Sequence, residues 1–265
     1  MIKKLTLIIG FIICLSSCGK DYVYRIEGEL SNLEDQTVYA VFEKDNYKVV
    51  DTVACTKPGQ FQIDQNEAGF HCVTIFFADK EHWVTAYLEP GETVKITGDA
   101  NSPLLLQVKG GRTNDKLTAF KKKIAPLLTE LTNLSNSLNS KDLNDTIEET
   151  DIAARLANVN MQLSEEAIRY VKENPNEEAS VVLIQSFFSD PDDTRKIDEL
   201  LALLNPRLKD FYLVKELEQY SARAKRTALG CGSPRFLRKE YLWEYGKFGL
   251  FPAEIFIADV YRSLV

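Results

Sequence analysis

The sequence predicts an α+β chain: a β-rich region of about eight short strands, then helices, then an irregular C-terminal stretch. Three observations carry this. From Tyr22 to Val108 the apolar residues recur with a period close to two and are punctuated often by glycine and proline. At Gly110-Gly111 the period changes, and Leu117, Phe120, Ile124, Leu127, Leu131, Leu134 and Leu138 follow at alternating spacings of three and four. Past Arg226 neither period persists.

The first element is not part of the fold. Met1-Ile-Lys-Lys is a short cationic segment, and Leu5 to Leu15 is almost wholly apolar but shorter than the roughly 20 residues of a membrane span. The run ends in Leu15-Ser16-Ser17-Cys18, which resembles a bacterial lipobox. That resemblance implies cleavage after residue 17, lipidation (palmitate among the acyl groups) on Cys18, and a membrane anchor in the cell envelope. Residues 18–21 then serve as a tether. One aspartate, Asp21, is a poor match to a surface-export signal, so the expected location is the outer membrane facing the periplasm.

The β-rich region spans residues 22–110. Its expected strands are Tyr22–Leu30, Thr37–Glu43, Tyr47–Ala54, Gln60–Asp64, Phe70–Phe77, Trp83–Glu89, Glu92–Thr97 and Leu104–Val108. Val38, Ala40 and Phe42 share one face, as do Val84, Ala86 and Leu88. Lys57-Pro58-Gly59 and Glu89-Pro90-Gly91 put proline and then glycine where type II turns want them, which predicts two hairpins. Strands of this number and spacing suggest an antiparallel sandwich or an open barrel.

The helical region spans residues 111–226. Its first helix carries the Leu117–Leu138 seam, broken or kinked at Pro126. A second helix from about Thr146 to Lys172, with Ile152, Leu156, Val159, Leu163 and Ile168 on its stripe, is expected to fold back on it. The Leu117–Leu138 seam is also the surface on which a homodimer would form. Asn174-Pro175, Asp190-Pro191 and Asn205-Pro206 then divide the remainder into short helices. The acidic groups at 190–193 and 148–151 read as solvated first turns rather than as metal ligands.

Composition bounds the chemistry. The 265 residues carry a net charge of −7, and removal of residues 1–17 leaves 30 basic against 39 acidic side chains, so nucleic acid is not an expected partner. Cys55, Cys72 and Cys231 form no Cys-x-x-Cys, and a Cys55–Cys72 bridge is left open by the sequence. His71 and Cys72 are neighbours on an expected strand, so their side chains should diverge; His82 should lie exposed in a turn. No metal site, catalytic residue or cofactor site is expected, and the chain as it stands is read as a non-enzyme. Tyr22, Tyr24, Phe76, Phe77, Trp83 and Tyr87 are read chiefly as core, with an aromatic groove for a glycan or peptide as the alternative.

The order of short motifs is the specific part. A lipobox is followed by a strand ending Glu27-Gly28-Glu29-Leu30, then Asp51-Thr52, Gly59-Gln60-Phe61, and Leu88-Glu89-Pro90-Gly91-Glu92. Together they resemble the β-rich domain of unknown function that precedes periplasmic thioredoxin-like (AhpC/TSA-type) thiol–disulfide oxidoreductases in Bacteroidota lipoproteins. The resemblance implies helices with an Asn-Pro turn, as at Asn174-Pro175, and then a Gly-x-x-x-Pro-Asp-Phe linker opening a thioredoxin-fold domain.

Residues 227–236, Thr-Ala-Leu-Gly-Cys-Gly-Ser-Pro-Arg-Phe, follow that pattern through Gly230 and Pro234 and leave it at Arg235. Only 29 residues follow Phe236, and they hold no cysteine. Advanced by one nucleotide from Pro234, the codons can spell Pro-Asp-Phe-Leu-Glu-Lys-Asn-x-x-Gly, similar to the family's opening strand. Residues 227–265 are therefore expected to be a linker and an aberrant tail, from a frameshift or, alternatively, a genuine short form. On this reading the chain is the auxiliary region of a truncated oxidoreductase; the alternative is a ligand-binding lipoprotein module.

Overall fold

The computed structural model describes residues 23–34, 37–45, 47–77, 82–139, 146–189 and 194–230. Cys18, the acidic group at 190–193, Cys231 and the stretch beyond Gly230 lie outside the described residues. The β region holds eight strands: β1 (Tyr24–Ser31), β2 (Thr37–Lys44), β3 (Tyr47–Ala54), β4 (Gln60–Gln65), β5 (Cys72–Phe76), β6 (Trp83–Tyr87), β7 (Thr93–Asp99) and β8 (Gln107–Lys109). They form two four-stranded sheets, sheet A in the order β4-β1-β7-β8 and sheet B in the order β3-β2-β5-β6. The chain adopts the expected α+β class, and of the two architectures expected for the β region, sandwich or open barrel, it forms the two-sheet sandwich.

The inner faces obey the period of two. Ile26, Phe61, Ile63, Val94 and Ile96 of sheet A meet Val38, Ala40, Phe42, Val73, Ile75, Val84 and Ala86 of sheet B in one buried cluster. The two predicted turns form, but neither makes a hairpin. Gln60 donates its amide to the Lys57 carbonyl at 2.9 Å and Gly59 has φ of +74°, yet β3 pairs with β2 whereas β4 pairs with β1. Likewise Glu92 bonds back to Glu89 across Gly91 (φ +83°), while β6 belongs to sheet B and β7 to sheet A. Both turns are sandwich corners. Proline and glycine set the local reversal, whereas the pairing partner is set by which face must be buried. The second corner also returns β7 parallel to β1, in register from Arg25 opposite Thr93 to Ser31 opposite Asp99, so sheet A is not wholly antiparallel. The crossover that a parallel pair requires runs through all of sheet B and, between β3 and β5, through β4 of sheet A.

Among the described residues six helices follow: α1 (Arg112–Lys123), α2 (Ala125–Asn139), α3 (Thr146–Glu173), α4 (Glu178–Phe188), α5 (Arg195–Leu201) and α6 (Tyr212–Gly230), with short 3₁₀ turns at Pro103–Leu105 and Pro206–Asp210. The expected break before Pro126 falls at Ile124, whose φ of −96° and ψ of 8° end α1. It rephases the seam, so that Leu128 rather than Leu127 is fully buried, and on α3 Ala167 and Val171 take the place expected of Ile168. Helices α2 and α3 are antiparallel: Glu130 of α2 meets Arg155 at 3.1 Å, and Lys123, the last residue of α1 just before α2, meets Glu166 farther along α3 at 3.0 Å. α4 lies at the centre of the layer, with Val181, Val182, Leu183 and Ile184 all at 0% exposure. Helix α6 begins after the Asn205-Pro206 turn, where the Asn205 side chain accepts the Arg207 amide at 3.0 Å, and it runs four residues beyond Arg226. No helix among the described residues is long and apolar enough to cross a membrane.

The helices cover the outer face of sheet B at β5 and β6, for Cys72 and Tyr87 belong to the helical core rather than to the sandwich core. α1 also closes the sandwich at one side. Asn114 exchanges bonds with the Tyr87 amide (2.8 Å) and carbonyl (2.7 Å) at the edge of sheet B. One turn later the Thr118 hydroxyl accepts from the Val108 amide (3.1 Å) and donates to its carbonyl (2.6 Å) at the edge of sheet A. An i, i+4 pair thus satisfies two strand edges that would otherwise be open.

Beside this wedge lies Lys121, buried at 6% exposure, its ammonium donating to the Leu106 carbonyl. Burial pushes its pKa down to about 8. A lysine depressed in the fold costs stability at every pH below the folded value. The cost fades as pH rises from there towards the unfolded value near 10.5, because only the native state sheds its proton in that window. Lys121→Met should raise the urea midpoint at pH 7. The relieved charge penalty is about 3 kcal/mol, offset by about 1 kcal/mol for the abandoned carbonyl. The advantage should shrink steadily above pH 8; an equal gain at pH 7 and pH 10 would contradict this origin.

Candidate functional site

Two surfaces are built well enough to consider. The first is the junction between sheet B and α6. Glu43 near the end of β2 is buried and paired with Lys48 of β3 at 2.5 Å. The Cys72 thiol lies 3.9 Å from the other Glu43 oxygen and is also hydrogen-bonded with the Tyr212 hydroxyl. Burial, reinforced by Glu43, pushes the thiol far above its ordinary range; burial does the same to the Tyr87 and Tyr212 hydroxyls. Burial and then Glu43 also raise Glu216 of α6. A thiol so placed is a packed, hydrogen-bonded side chain and a poor nucleophile.

His71 and Cys72 do not diverge as their adjacency suggests. β5 starts at Cys72, so His71 lies in the approach to the strand, and both side chains meet Tyr212. The imidazole stacks on the phenol at 4.1 Å and 12°, with Nε2 3.3 Å from Asp45 Oδ1. Beside this stack is a cleft of about 430 Å³ floored by Tyr87 and Leu88 and rimmed by Glu89, Asp210 and Lys215. Its carboxylates are already engaged: Glu89 accepts the Arg112 amide at 2.7 Å, Glu178 accepts the Thr113 hydroxyl at 3.0 Å, and Asp210 faces Lys215 at 3.5 Å. Cys55 and Cys72 belong to different cores and are not joined to each other. Among the described residues no three His, Cys, Asp or Glu side chains converge as a metal site.

The second surface is the outer face of sheet B away from the helices. The register sets Tyr39 opposite Phe76 and Phe76 opposite Trp83, a row across three strands. All three are half-buried, and the Phe76 and Trp83 rings lie 5.9 Å apart. The six aromatics singled out from sequence therefore divide. Phe76 and Trp83 form this row, Tyr24 and Phe77 are sandwich core, Tyr87 is helical core, and Tyr22 lies outside the described residues. Tyr39 was missed, since its place in the row depends on strand pairing. His82 is half-buried rather than exposed, and its carbonyl accepts the Phe77 amide at 2.9 Å.

A two-sheet sandwich sealed by a helical wedge is thus the unit that carries both surfaces. Residues 24–117 match a family described as a domain of unknown function (DUF4369). The match covers all eight strands and enters α1 far enough to include Asn114. No curated protein and no solved structure matches the chain.

Proposed function

We propose that residues 24–230 are the auxiliary, non-catalytic part of a lipid-anchored envelope protein of the thiol–disulfide oxidoreductase type. The observation that carries this reading is the family match over residues 24–117, taken with the motif order that continues through the helices to Gly230. The state of Cys72 agrees with it: a buried thiol of raised pKa serves packing, so redox chemistry would fall to cysteines elsewhere. The anchor is the lipid on Cys18. The role of the sandwich and its helical layer is then to hold a partner domain at a set distance from the membrane.

Sequencing the locus from codon 225 past the stop tests the first half of the proposal. A shifted open frame reaching Cys-x-x-Cys supports it, and a closed frame sinks the oxidoreductase assignment. Labelling with radioactive palmitate tests the second half: the full chain should take up label, and Cys18→Ala should abolish it.

A second reading rests on the Tyr39–Phe76–Trp83 row, a platform of the kind on which a sugar ring or a peptide side chain stacks. It expects glycan or peptide ligands to perturb Trp83 fluorescence in a Trp243→Phe background, with Phe76→Ala weakening binding at least tenfold. Silence of Trp83 across a panel of envelope glycans and peptides would remove it.

A further inference from the structure

We propose that the end of the sandwich where β1 begins is the surface that rests on a lipid bilayer, so that α6 delivers the chain beyond Gly230 at a set height above it. This rests on the reading of Cys18 as a lipid anchor. Five residue steps separate Cys18 from Val23. An extended chain covers at most about 3.5 Å per residue, so Val23 can stand no more than about 18 Å from the anchored cysteine. Val23 is itself fixed: its amide donates to the Gln65 carbonyl at 2.9 Å, and its carbonyl accepts the Gly91 amide at 2.9 Å. β1 then runs for 8 residues, a length of about 27 Å. The tether is therefore too short to let the opposite end of the sandwich face the membrane.

The register gathers the rest of this end. Tyr24 lies opposite Gln65 and Arg25 opposite Thr93 in sheet A, while Glu43 lies opposite Cys72 and Cys72 opposite Tyr87 in sheet B. The β4–β5 and β6–β7 connections join these strand ends, and the Tyr24 hydroxyl accepts the Gly69 amide at 3.0 Å. The β2–β3 turn therefore projects on the same side as Val23. It carries Tyr47, 52% exposed, with the Lys44 ammonium 5.7 Å from its ring centre and also paired with Glu67 at 2.6 Å. A phenol beside such an ion pair suits the headgroup zone, where an apolar body and a polar tip both find partners. The chain's net charge of −7 disfavours acidic lipid, so a zwitterionic surface is the partner that fits.

Three helices start at this end and run away from it. Asn114, in the first turn of α1, bonds to Tyr87, whereas Lys121, two turns later, bonds to Leu106, which packs beside Gly98 towards the opposite end. α4 begins beside α1, where Glu178 accepts the Thr113 hydroxyl at 3.0 Å. α6 begins with Tyr212 stacked on His71, and by Tyr220 it has reached the far end of α4, where the Ser189 carbonyl accepts the Tyr220 hydroxyl at 2.8 Å. α6 has 19 residues, a rise of about 28 Å. Gly230 is thereby held higher over the bilayer than Tyr212 by up to that length.

The test uses the full chain, expressed with residues 1–17 in a bacterium that acylates lipoproteins. It is reconstituted into vesicles of phosphatidylethanolamine and phosphatidylcholine that carry a headgroup-linked acceptor dye. A donor dye is placed on one introduced cysteine at a time in a Cys55→Ser, Cys231→Ser background, where Cys72 is buried and escapes labelling. Tyr47→Cys and Pro90→Cys report the end near Val23, Lys57→Cys the opposite end, and Arg226→Cys the later turns of α6; all four positions are exposed. Given the roughly 28 Å rise of α6, energy transfer should be at least about fivefold stronger from positions 47 and 90 than from 57 and 226. Two near-end sites keep the comparison if one variant fails to fold. Flotation and the mass of the N-terminal peptide report the lipid independently. In a chain that is acylated and floats, equal transfer from all four positions, or stronger transfer from 57 or 226, would overturn the placement and leave the anchor standing. A chain that carries no lipid would remove the anchor and this placement with it.

Discussion

Leu128→Asp is expected to unfold the helical layer. Leu128 is at 0% exposure in the α2 face that packs on α3, among Ile124, Leu131, Leu156, Val159 and Leu163. Removing the isobutyl group forfeits burial worth about 3 kcal/mol, and the new carboxylate has no cation within the apolar seam, so it must be desolvated or protonated at further cost. The sum, more than about 4 kcal/mol, is a large share of the stability of an ordinary domain. Leu127→Asp provides the control. Leu127 is only half-buried, so its aspartate can reach water, and the variant should remain folded with a modest loss in urea midpoint. Equal losses at both positions would mean that the rephasing at Ile124 is not present in solution. The same contrast bears on association: the face expected to pair with a second chain is occupied by α3 of its own, and charges placed there act on folding first.

Asn114→Ala should be the most damaging polar substitution. Its amide nitrogen donates to the Tyr87 carbonyl at 2.7 Å and to the Gly110 carbonyl at 2.6 Å, while its oxygen accepts the Tyr87 amide at 2.8 Å. Truncation strands three backbone groups, two of them on a buried strand edge. At about 1 kcal/mol or more for each, the loss should be about 3 kcal/mol in the urea midpoint. Hydrogen exchange gives the specific signature: the Tyr87 amide should lose protection while Val84 and Ala86 keep theirs. Asn114→Asp should not rescue, because a carboxylate cannot donate to either carbonyl. A loss spread evenly over sheet B would point to general destabilisation instead of an unplugged edge.

Much of this architecture was legible in the residues themselves. The alternation of Val38, Ala40 and Phe42 placed β2, and the change of period at Gly110-Gly111 placed the boundary between layers. Pro126 foretold the break that falls at Ile124. All of these are local signals, in which a side chain's fate is decided within one turn or one strand. What failed were the inferences about which strand pairs with which, whereas the helix hairpin of α2 and α3 formed as expected. Pro58-Gly59 and Pro90-Gly91 announced reversals and made them, but a reversal does not say which sheet receives the next strand. Tyr39 could join Phe76 and Trp83 only once β2 was known to lie beside β5. Glu43, Cys72, Tyr87 and Tyr212 lie far apart in the chain, from β2 to α6, and no spacing rule connects them. His71 and Cys72 were visible as unusual residues. The tyrosine that both of them touch was not.

The wedge formed by Asn114 and Thr118 has a consequence for where this protein can be cut. By composition the β region ends at residue 110, and the family match ends at residue 117, between the two plugging side chains. A fragment stopped at 110 would present two bare strand edges in addition to β3, and one stopped at 117 would still present the edge of β8. Either would be sticky in a way that says nothing about the intact molecule. The smallest piece that can be handled as a soluble unit has to run through α1 to Lys123. It also needs something to cover the apolar side of that helix, where Leu117 and Phe120 meet the helical core. The strands and the first helix are therefore one structural unit, and the helical layer that shelters α1 is its neighbour.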